Sequence, residues 1–448
     1  MNTQRALISL SLACFAGSVS GQQFVPIVDA SPLAHCRDIT PDGEVVVGNG
    51  FDGGFYWRWR TSPTKVTIGG DVAAVSADGN TIAGTINGEA AIWRNGIGWQ
   101  NIGSLPGAPS GCGGDTSTAY DISGDGSTIV GLSWANGQCL GRAFRWTEAG
   151  GMEALEVLGN DRNRASAVSD DGSLVGGFAQ GNFSRTPAVW YADGTGEVWD
   201  MDEVGEVYEI DGYGTSVVGT WGGEGFTGPP AGAVTTITHS GFETGQATDF
   251  SENGDTIVGF ELGEAAWVQT AKDGLNPLAP YLQALGVPNV PFLQVVTAIS
   301  DDGTVIAGHT FFDQAWIVEL PEVCGWTQYS IAASPGNSMV LEGSGSSSIG
   351  EDFFLTTSGA AGAATGTFVS FGPSAIPFLS GVVLFNPINM LNTVLVAPTT
   401  GGTSVLPLPI PMDFSLVGAS IHFQSITEDL SNPSFYAWSN GLKLNICQ

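Results

Sequence analysis

The chain has 448 residues, with 44 Asp and Glu against 13 Lys and Arg, a formal net charge of −31, and 65 glycines. A surface of that sign repels phosphate backbones and anionic lipid, which sets nucleic-acid and membrane-surface partners aside. Abundant Gly, Thr, Val and Ile, with few runs of Ala, Leu, Lys and Glu, argue for strands and tight turns over helices.

Residues 1–21 read as a secretory signal peptide. Arg5 supplies the positive start, Ala6 to Phe15 the apolar core, and Ser18-Val-Ser20 or Val19-Ser-Gly21 the small-residue cleavage pattern. That core is too short to span a bilayer. Cys14 raises a lipoprotein reading, but Ser11 stands where an aliphatic residue is expected. No later stretch is long and apolar enough for a transmembrane helix. The mature chain is therefore expected to be secreted, extracellular or periplasmic, with surface association left to a partner.

From residue 22 to 323 one phrase recurs: an apolar run, an Asp-Gly or Asn-Gly pair, a second apolar run, and another glycine five residues on. It stands at Asp42-Gly43, Asp78-Gly79, Asp125-Gly126, Asp171-Gly172, Asn253-Gly254 and Asp302-Gly303, with a worn copy at Tyr213-Gly214. The second glycines are Gly48, Gly84, Gly131, Gly177, Gly219, Gly259 and Gly308. Asp-Gly between apolar runs predicts a hairpin with a type I′ turn, which needs positive φ at both central residues. The later glycine is expected to stop the second strand. Third strands follow around Phe55-Tyr-Trp57, Ala90 to Trp93, Ala143 to Trp146, Ala188 to Trp190, Ala265 to Trp267 and Ala315-Trp316. Fourth strands are expected at Gly98 to Ile102, Gly151 to Leu155 and Gly196 to Met201.

Successive turn glycines lie 36 to 49 residues apart, a period that suits a four-stranded β-propeller blade. Seven blades are expected; an open array or another count is the alternative. The last unit has no fourth strand, and Gln23 to Val28 precedes the first hairpin without a blade of its own. That segment is expected to close the ring. Leu275 to Gly286 reads as one short amphipathic helix, with Pro277 and Pro280 in its first turn or lead-in. The repeats resemble the extracellular HAF-type repeat of exported bacterial proteins. The match is nearest at Ala298 to Gly308 followed by Ala315-Trp-Ile, and Arg142-Ala143-Phe144 comes closest to the His-Ala-Phe triplet that names the family. The resemblance implies architecture and export, and no catalytic function.

From 324 to 448 the period stops, and short strand candidates without helical spacing indicate a β-sandwich, jelly-roll-like. They are Ser338 to Leu341, Asp352 to Thr357, Gly366 to Phe371, Gly381 to Phe385, Ser415 to Gly418, Ser420 to Gln424 and Leu442 to Ile446. Leu416 to Gln424 with Ser439 to Ile446 looks like a C-terminal module of exported proteins from planctomycete-like bacteria.

Five cysteines remain after cleavage, and in an exported chain they are disulfide candidates. Cys112 and Cys139 flank the third hairpin, and Cys324 and Cys447 bracket the C-terminal part. Cys36 is left over, at the strand position equivalent to Ala165, and is expected to be free and buried. A zinc site lacks Cys-x-x-Cys, and His35, His239, His309 and His422 are scattered. Calcium loops need alternating oxygen ligands, which the Asp-Gly turns lack; the turn aspartates are expected to bond their own backbone. No metal, cofactor or catalytic residue is expected. Trp99, Trp134, Trp199 and Trp221 are either a sugar-stacking platform or blade packing, and packing is favoured. What varies between copies is confined to loops such as residues 103–117, 133–142 and 221–231, where recognition is expected. The sequence reads as a monomeric, non-catalytic binding or structural protein with a glycan or protein ligand. The alternative is a polysaccharide-active enzyme, glycosidase or lyase, with its site at the ring centre.

Overall fold

The computed structural model describes, in the repeat region, residues 23–27, 34–107, 116–135, 139–310 (without positions 213, 232, 253, 264 and 272) and 314–320. C-terminal to these it describes 325–329, 339–345, 347–348, 351–359, 364–370, 373–378, 381–385, 395–410, 420–428 and 436–445. The expected signal peptide and the boundary at 323/324 lie outside the described residues.

Seven four-stranded antiparallel sheets form the repeat region, a seven-bladed β-propeller. The innermost strands of blades 1 to 7 are Ala34–Ile39, Asp71–Val75, Ser117–Ile122, Asn163–Val168, Gly205–Ile210, Gln246–Phe250 and Val295–Ile299. Neighbouring inner strands touch all the way round. Blades 1 to 6 are each built from consecutive strands, and stacking covers both faces of the inner ones. Second strands therefore read as apolar runs: Val46 and Val47, or Val217 and Val218, are fully buried on opposite sides. Outer strands such as Gly151–Ala154 are half-buried or exposed.

Blade 7 has three strands from the end of the array, Val295–Ile299, Val305–His309 and Ala315–Glu319, and takes its fourth from Gln23–Pro26. Phe24 lies opposite Val318 and Pro26 opposite Trp316 in antiparallel register, so the ring closes as expected. The Phe24 ring stacks on Trp316 at 6.3 Å. Arg60 of blade 1 spans the same seam, with Nη2 2.9 Å from Glu319 Oε1 and Nη1 2.8 Å from Glu44 Oε1.

The hairpins stand where expected, but the turn type differs. The Thr40 carbonyl accepts from the Gly43 N–H at 2.7 Å, and the Thr40 N–H donates to the Val45 carbonyl at 2.9 Å. Asp42 and Gly43 are thus the last two residues of a β-turn inside a four-residue loop. Gly43 has φ +68°, whereas Asp42 is not among the residues of positive φ. The type I′ geometry occurs between second and third strands instead, at Asn87-Gly88, with φ 54° and 79°. The glycine five residues on does not stop a strand either. Gly48 lies inside Val46–Gly50, and a Cβ there would meet the His35 carbonyl oxygen at 2.1 Å. Gly131, Gly177, Gly219 and Gly308 approach the inner strand as closely. Each faces the residue before a β-bulge, as Cys36 pairs Gly48 before the shift to Asp38, and the bulge pushes backbone onto backbone.

Blade 5 has its third strand at Glu224–Gly228, where a variable loop 221–231 is expected. Val66–Thr67, Thr235–Ile237 and Gly274–Pro277 are fourth strands with no clear pattern in the sequence. The helix is shorter than expected, Leu278–Ala284, because Gly274–Pro277 pairs as a strand before it. Its Leu278, Ala279 and Leu282 pack into the core with Val258, Val296 and Trp316.

The C-terminal part is a sandwich whose main sheet is continuous, beside a separate two-stranded sheet of Pro373–Phe378 and Gly381–Phe385. Eight strands run in the order Gly325–Tyr329, Tyr436–Asn445, Ser420–Glu428, Ala364–Ser370, Leu395–Thr400, Thr403–Pro409, Asp352–Ser358 and Val340–Gly345. The sheet folds over, so that Thr357 Oγ1 donates to Ser425 Oγ at 3.0 Å from the opposite half. Leu341, Phe353, Leu355, Phe423, Leu442 and Leu444 fill the space between. Leu395–Thr400 and Thr403–Pro409 are unforeseen strands, and Ser415 to Gly418 lies outside the described residues.

Candidate functional site: the central channel

The inner strands begin at one face of the ring, here the entry face, and end in the Asp-Gly turns at the other, the turn face. Each inner strand carries a bulge, which falls between Cys36 and Asp38, Ala119 and Asp121, or Ala247 and Asp249. A bulge frees the next backbone N–H from the ladder, and that donor needs an acceptor. Asp38 supplies it twice, accepting from the Ile39 N–H at 2.7 Å and from Val75 of blade 2 at 2.8 Å. Asp121 takes Ile122 and, in blade 4, Val168, both at 2.7 Å. Asp249 takes Phe250 and, in blade 7, Ile299, both at 2.7 Å. Blades 2, 4 and 7 carry Ala74, Ala167 and Ala298 at the equivalent place, so one carboxylate serves two blades. Blade 5 has Glu209, which accepts from its own Ile210 N–H at 3.0 Å. Thr248 Oγ1 ties the other group type, donating to the Val296 carbonyl at 3.0 Å.

These carboxylates crowd one channel. Burial pushes Asp38 up to about 6. Burial, then the charge of Asp38, pushes Asp121 up to about 8. Glu209 and Asp249 are raised well above the usual range by burial and by the other carboxylates. Nearer the turn face, Asp170, Glu252 and Asp301 occupy the position before the turn Asp or Asn. Glu252 is also raised well above the ordinary range, first by burial and then by Asp301, Asp170 and Asp211.

The entry face has a different character. Glu206, fully buried at the start of its inner strand, accepts from Arg164, from Ser166 Oγ at 2.6 Å and from Arg185 Nη1 at 2.8 Å. The Arg164 guanidinium lies over the Tyr120 ring at 4.5 Å and the Phe178 ring at 5.0 Å, which holds blades 3, 4 and 5 together. Across the ring, His35 of blade 1 and His309 of blade 7 stack at 4.4 Å and 5°. Scattered in sequence, these two histidines meet at the closing seam. His239 stacks on Phe242 in a loop of blade 5, and His422 is buried in the C-terminal sheet.

The turn residues stay out of this channel chemistry. Asp42, Asp78, Asp125, Asp171 and Asp302 each accept from the preceding Ser or Thr hydroxyl at 2.6 to 2.9 Å. Each also accepts from the backbone N–H two residues on, at 2.8 to 3.0 Å. Gly79, Gly126, Gly172, Gly254 and Gly303 share the positive φ of Gly43, and Asn253 lies outside the described residues. Asp211 replaces the turn Ser in the worn copy and accepts from Thr215 and Ser216. No group of three or more His, Cys, Asp or Glu among the described residues could hold a metal ion. Trp99 gives its indole N–H to the Ile68 and Gly69 carbonyls and Trp199 to that of Pro230, while Trp134 and Trp221 are half-buried. Cys36 is a buried free thiol; Cys112, Cys324 and Cys447 lie outside the described residues, so the pairing of Cys139 stays an expectation. No helix of the described residues is long and apolar enough to cross a membrane.

Comparison with known proteins adds little to this geometry. The chain matches no known family profile and no curated protein. Among solved structures it is similar to an oligogalacturonate lyase from Vibrio parahaemolyticus (14% identity, 67% of this chain and 97% of that one, TM-score 0.44). An oligogalacturonate lyase in complex with manganese gives 14%, 67%, 97% and 0.45. TolB from Acinetobacter baumannii gives 12%, 62%, 79% and 0.36. Likeness at this level carries no argument about activity, and the fold rests on the strand pairing above.

Proposed function

We propose that this chain is an exported, non-catalytic propeller protein of the HAF-repeat kind that binds an extracellular partner, a glycan or a protein, at the cell envelope or beyond it. One observation carries the reading: three of the channel carboxylates, Asp38, Asp121 and Asp249, are committed to the backbone. Both oxygens of Asp38, Asp121 and Asp249 hold backbone N–H groups of adjacent blades. A glycosidase needs one carboxyl group held protonated to give its proton away and a second free to attack or to activate water. Acceptors that keep the blades in register serve neither role well.

A second reading has one observation in its favour. Arg164, Arg185 and the His35–His309 pair stand round the same channel as these carboxylates, which is a setting for a polysaccharide-active enzyme. Incubating the intact protein with neutral and acidic polysaccharides, peptides and esters separates the two. Binding without turnover is the expected result. Turnover lost on Asp121→Asn or Glu209→Gln, in variants that still fold, would transfer the assignment to the enzyme class.

A further inference from the structure

Exposed apolar side chains are unevenly spread over the propeller. Phe51, Phe183, Leu262 and Phe292 are 72%, 77%, 69% and 58% exposed, and Val157 and Val204 stand out less far. All six are on the entry face. Phe51, Phe183 and Leu262 sit at the tips between second and third strands of blades 1, 4 and 6; the others lie in loops that lead into inner strands. Of the remaining exposed large hydrophobics described in the propeller, Ile97 is at the turn face and Val66 on an outer strand. Single exposed apolar residues need no explanation, but their gathering on one face does.

Inward of these tips lie two exposed arginines of a chain that has few cations, Arg185 at the entry end of its strand and Arg37 on the innermost strand of blade 1. Arg37 is exposed at the bulge of blade 1, with no ion pair among the described residues. Arg185 gives one N–H to Glu206 and keeps 44% of its side chain in solvent.

We propose that the entry face docks a protein partner that presents an apolar surface around a projecting carboxylate. The proposal rests on the binding reading above and narrows it. A protein is favoured over a glycan by the kind of side chain exposed. Sugars stack on broad aromatic platforms whose polar edges reach hydroxyls, and of the tryptophans suited to that Trp99 and Trp199 are taken up between blades. Phe, Leu and Val tips offer desolvation alone, the core of a protein–protein contact, while the solvent-exposed guanidinium groups of Arg37 and Arg185 complement an acidic anchor.

The test uses the full mature chain and a random linear peptide library displayed on phage. Selected peptides are expected to combine aromatic or aliphatic residues with Asp or Glu. Phe51→Ser with Phe183→Ser, and separately Arg37→Glu, should each weaken them by roughly tenfold or more. Ile97→Ser, on the opposite face, should leave them unchanged. The substituted tips are exposed, so unchanged melting temperatures are expected. Peptides that bind all variants alike, or no enrichment at all, would overturn the proposal. So would loss of binding to a neutral polysaccharide in the same variants, or a concentration-dependent dimer that Phe51→Ser dissolves. Turnover in the substrate panel sinks the non-catalytic reading; indifference to these substitutions sinks the docking face alone.

Discussion

Trp316 is 1% exposed and lies between the closing strand and the helix-bearing core. Trp316→Ala should lower unfolding free energy by roughly 3–5 kcal/mol, as for other buried large aromatics. A urea titration reads it, and a loss well under that would put the indole outside the core. Asp121→Asn tests the stitch between blades 3 and 4. Its amide nitrogen would confront the Ile122 or the Val168 N–H, leaving a donor without an acceptor. The cost should be about 1–3 kcal/mol, and amide exchange at Val168 should rise with it. A neutral Asn that changes neither would mean that the carboxylate is not needed as a double acceptor. The signal for this role stands in the sequence two residues before the turn Ser or Thr, or before the Asp211 that replaces it: Asp38, Ala74, Asp121, Ala167, Glu209, Asp249, Ala298. Periodicity alone does not interpret it. The meaning of an acid there depends on a bulge, and on an alanine in the blade that follows.

At the scale of strands, hairpin rhythm and blade count are legible because the turn and the close glycine approach each demand a specific residue in every copy. Short outer strands such as Val66–Thr67 are not, since a half-exposed two-residue strand needs no pattern. Nor is the entry-face chemistry. Arg164 meets Glu206, and His35 meets His309, only because stacking sets their blades side by side. Deleting residues 22–28 should leave blade 7 with an unpaired edge, and the protein should unfold or oligomerise. A monomeric deletion with an unchanged melting temperature would mean that the clasp is dispensable. Non-reducing peptide mapping should link Cys112 with Cys139 and Cys324 with Cys447, leaving Cys36 unreactive until the chain unfolds. A Cys36–Cys324 peptide would contradict both the buried thiol and the expected boundary.

For the molecule as a whole, the raised channel carboxylates set a pH dependence. Their folded values, about 6 for Asp38 and about 8 for Asp121, lie above the unfolded value near 4. Between those limits the native state holds more protons than the unfolded one, so stability falls as pH rises. The contribution is complete below about pH 4 and is lost through pH 6 to 8. The melting temperature should therefore be higher at pH 5 than at pH 8.5. The net charge of −31 pushes the same way, since it adds repulsion at high pH. Asp121→Asn should flatten the profile, which repulsion alone would not do; an equally steep curve would assign the effect to the surface.

The pairing of Gln23–Pro26 with Ala315–Glu319 also sets an order in time. A chain that emerges from a ribosome or a translocation pore with its N-terminus first can complete blades 1 to 6 from contiguous stretches. The partner of its earliest strand arrives last. Until then that strand is a loose end held beside an incomplete ring, and six blades stand as an open arc with an uncovered edge on either side. Assembly should thus finish in one latching event of very long sequence separation, slower than the steps before it. A chaperone that shields nascent edges would be needed most in the interval just before the latch.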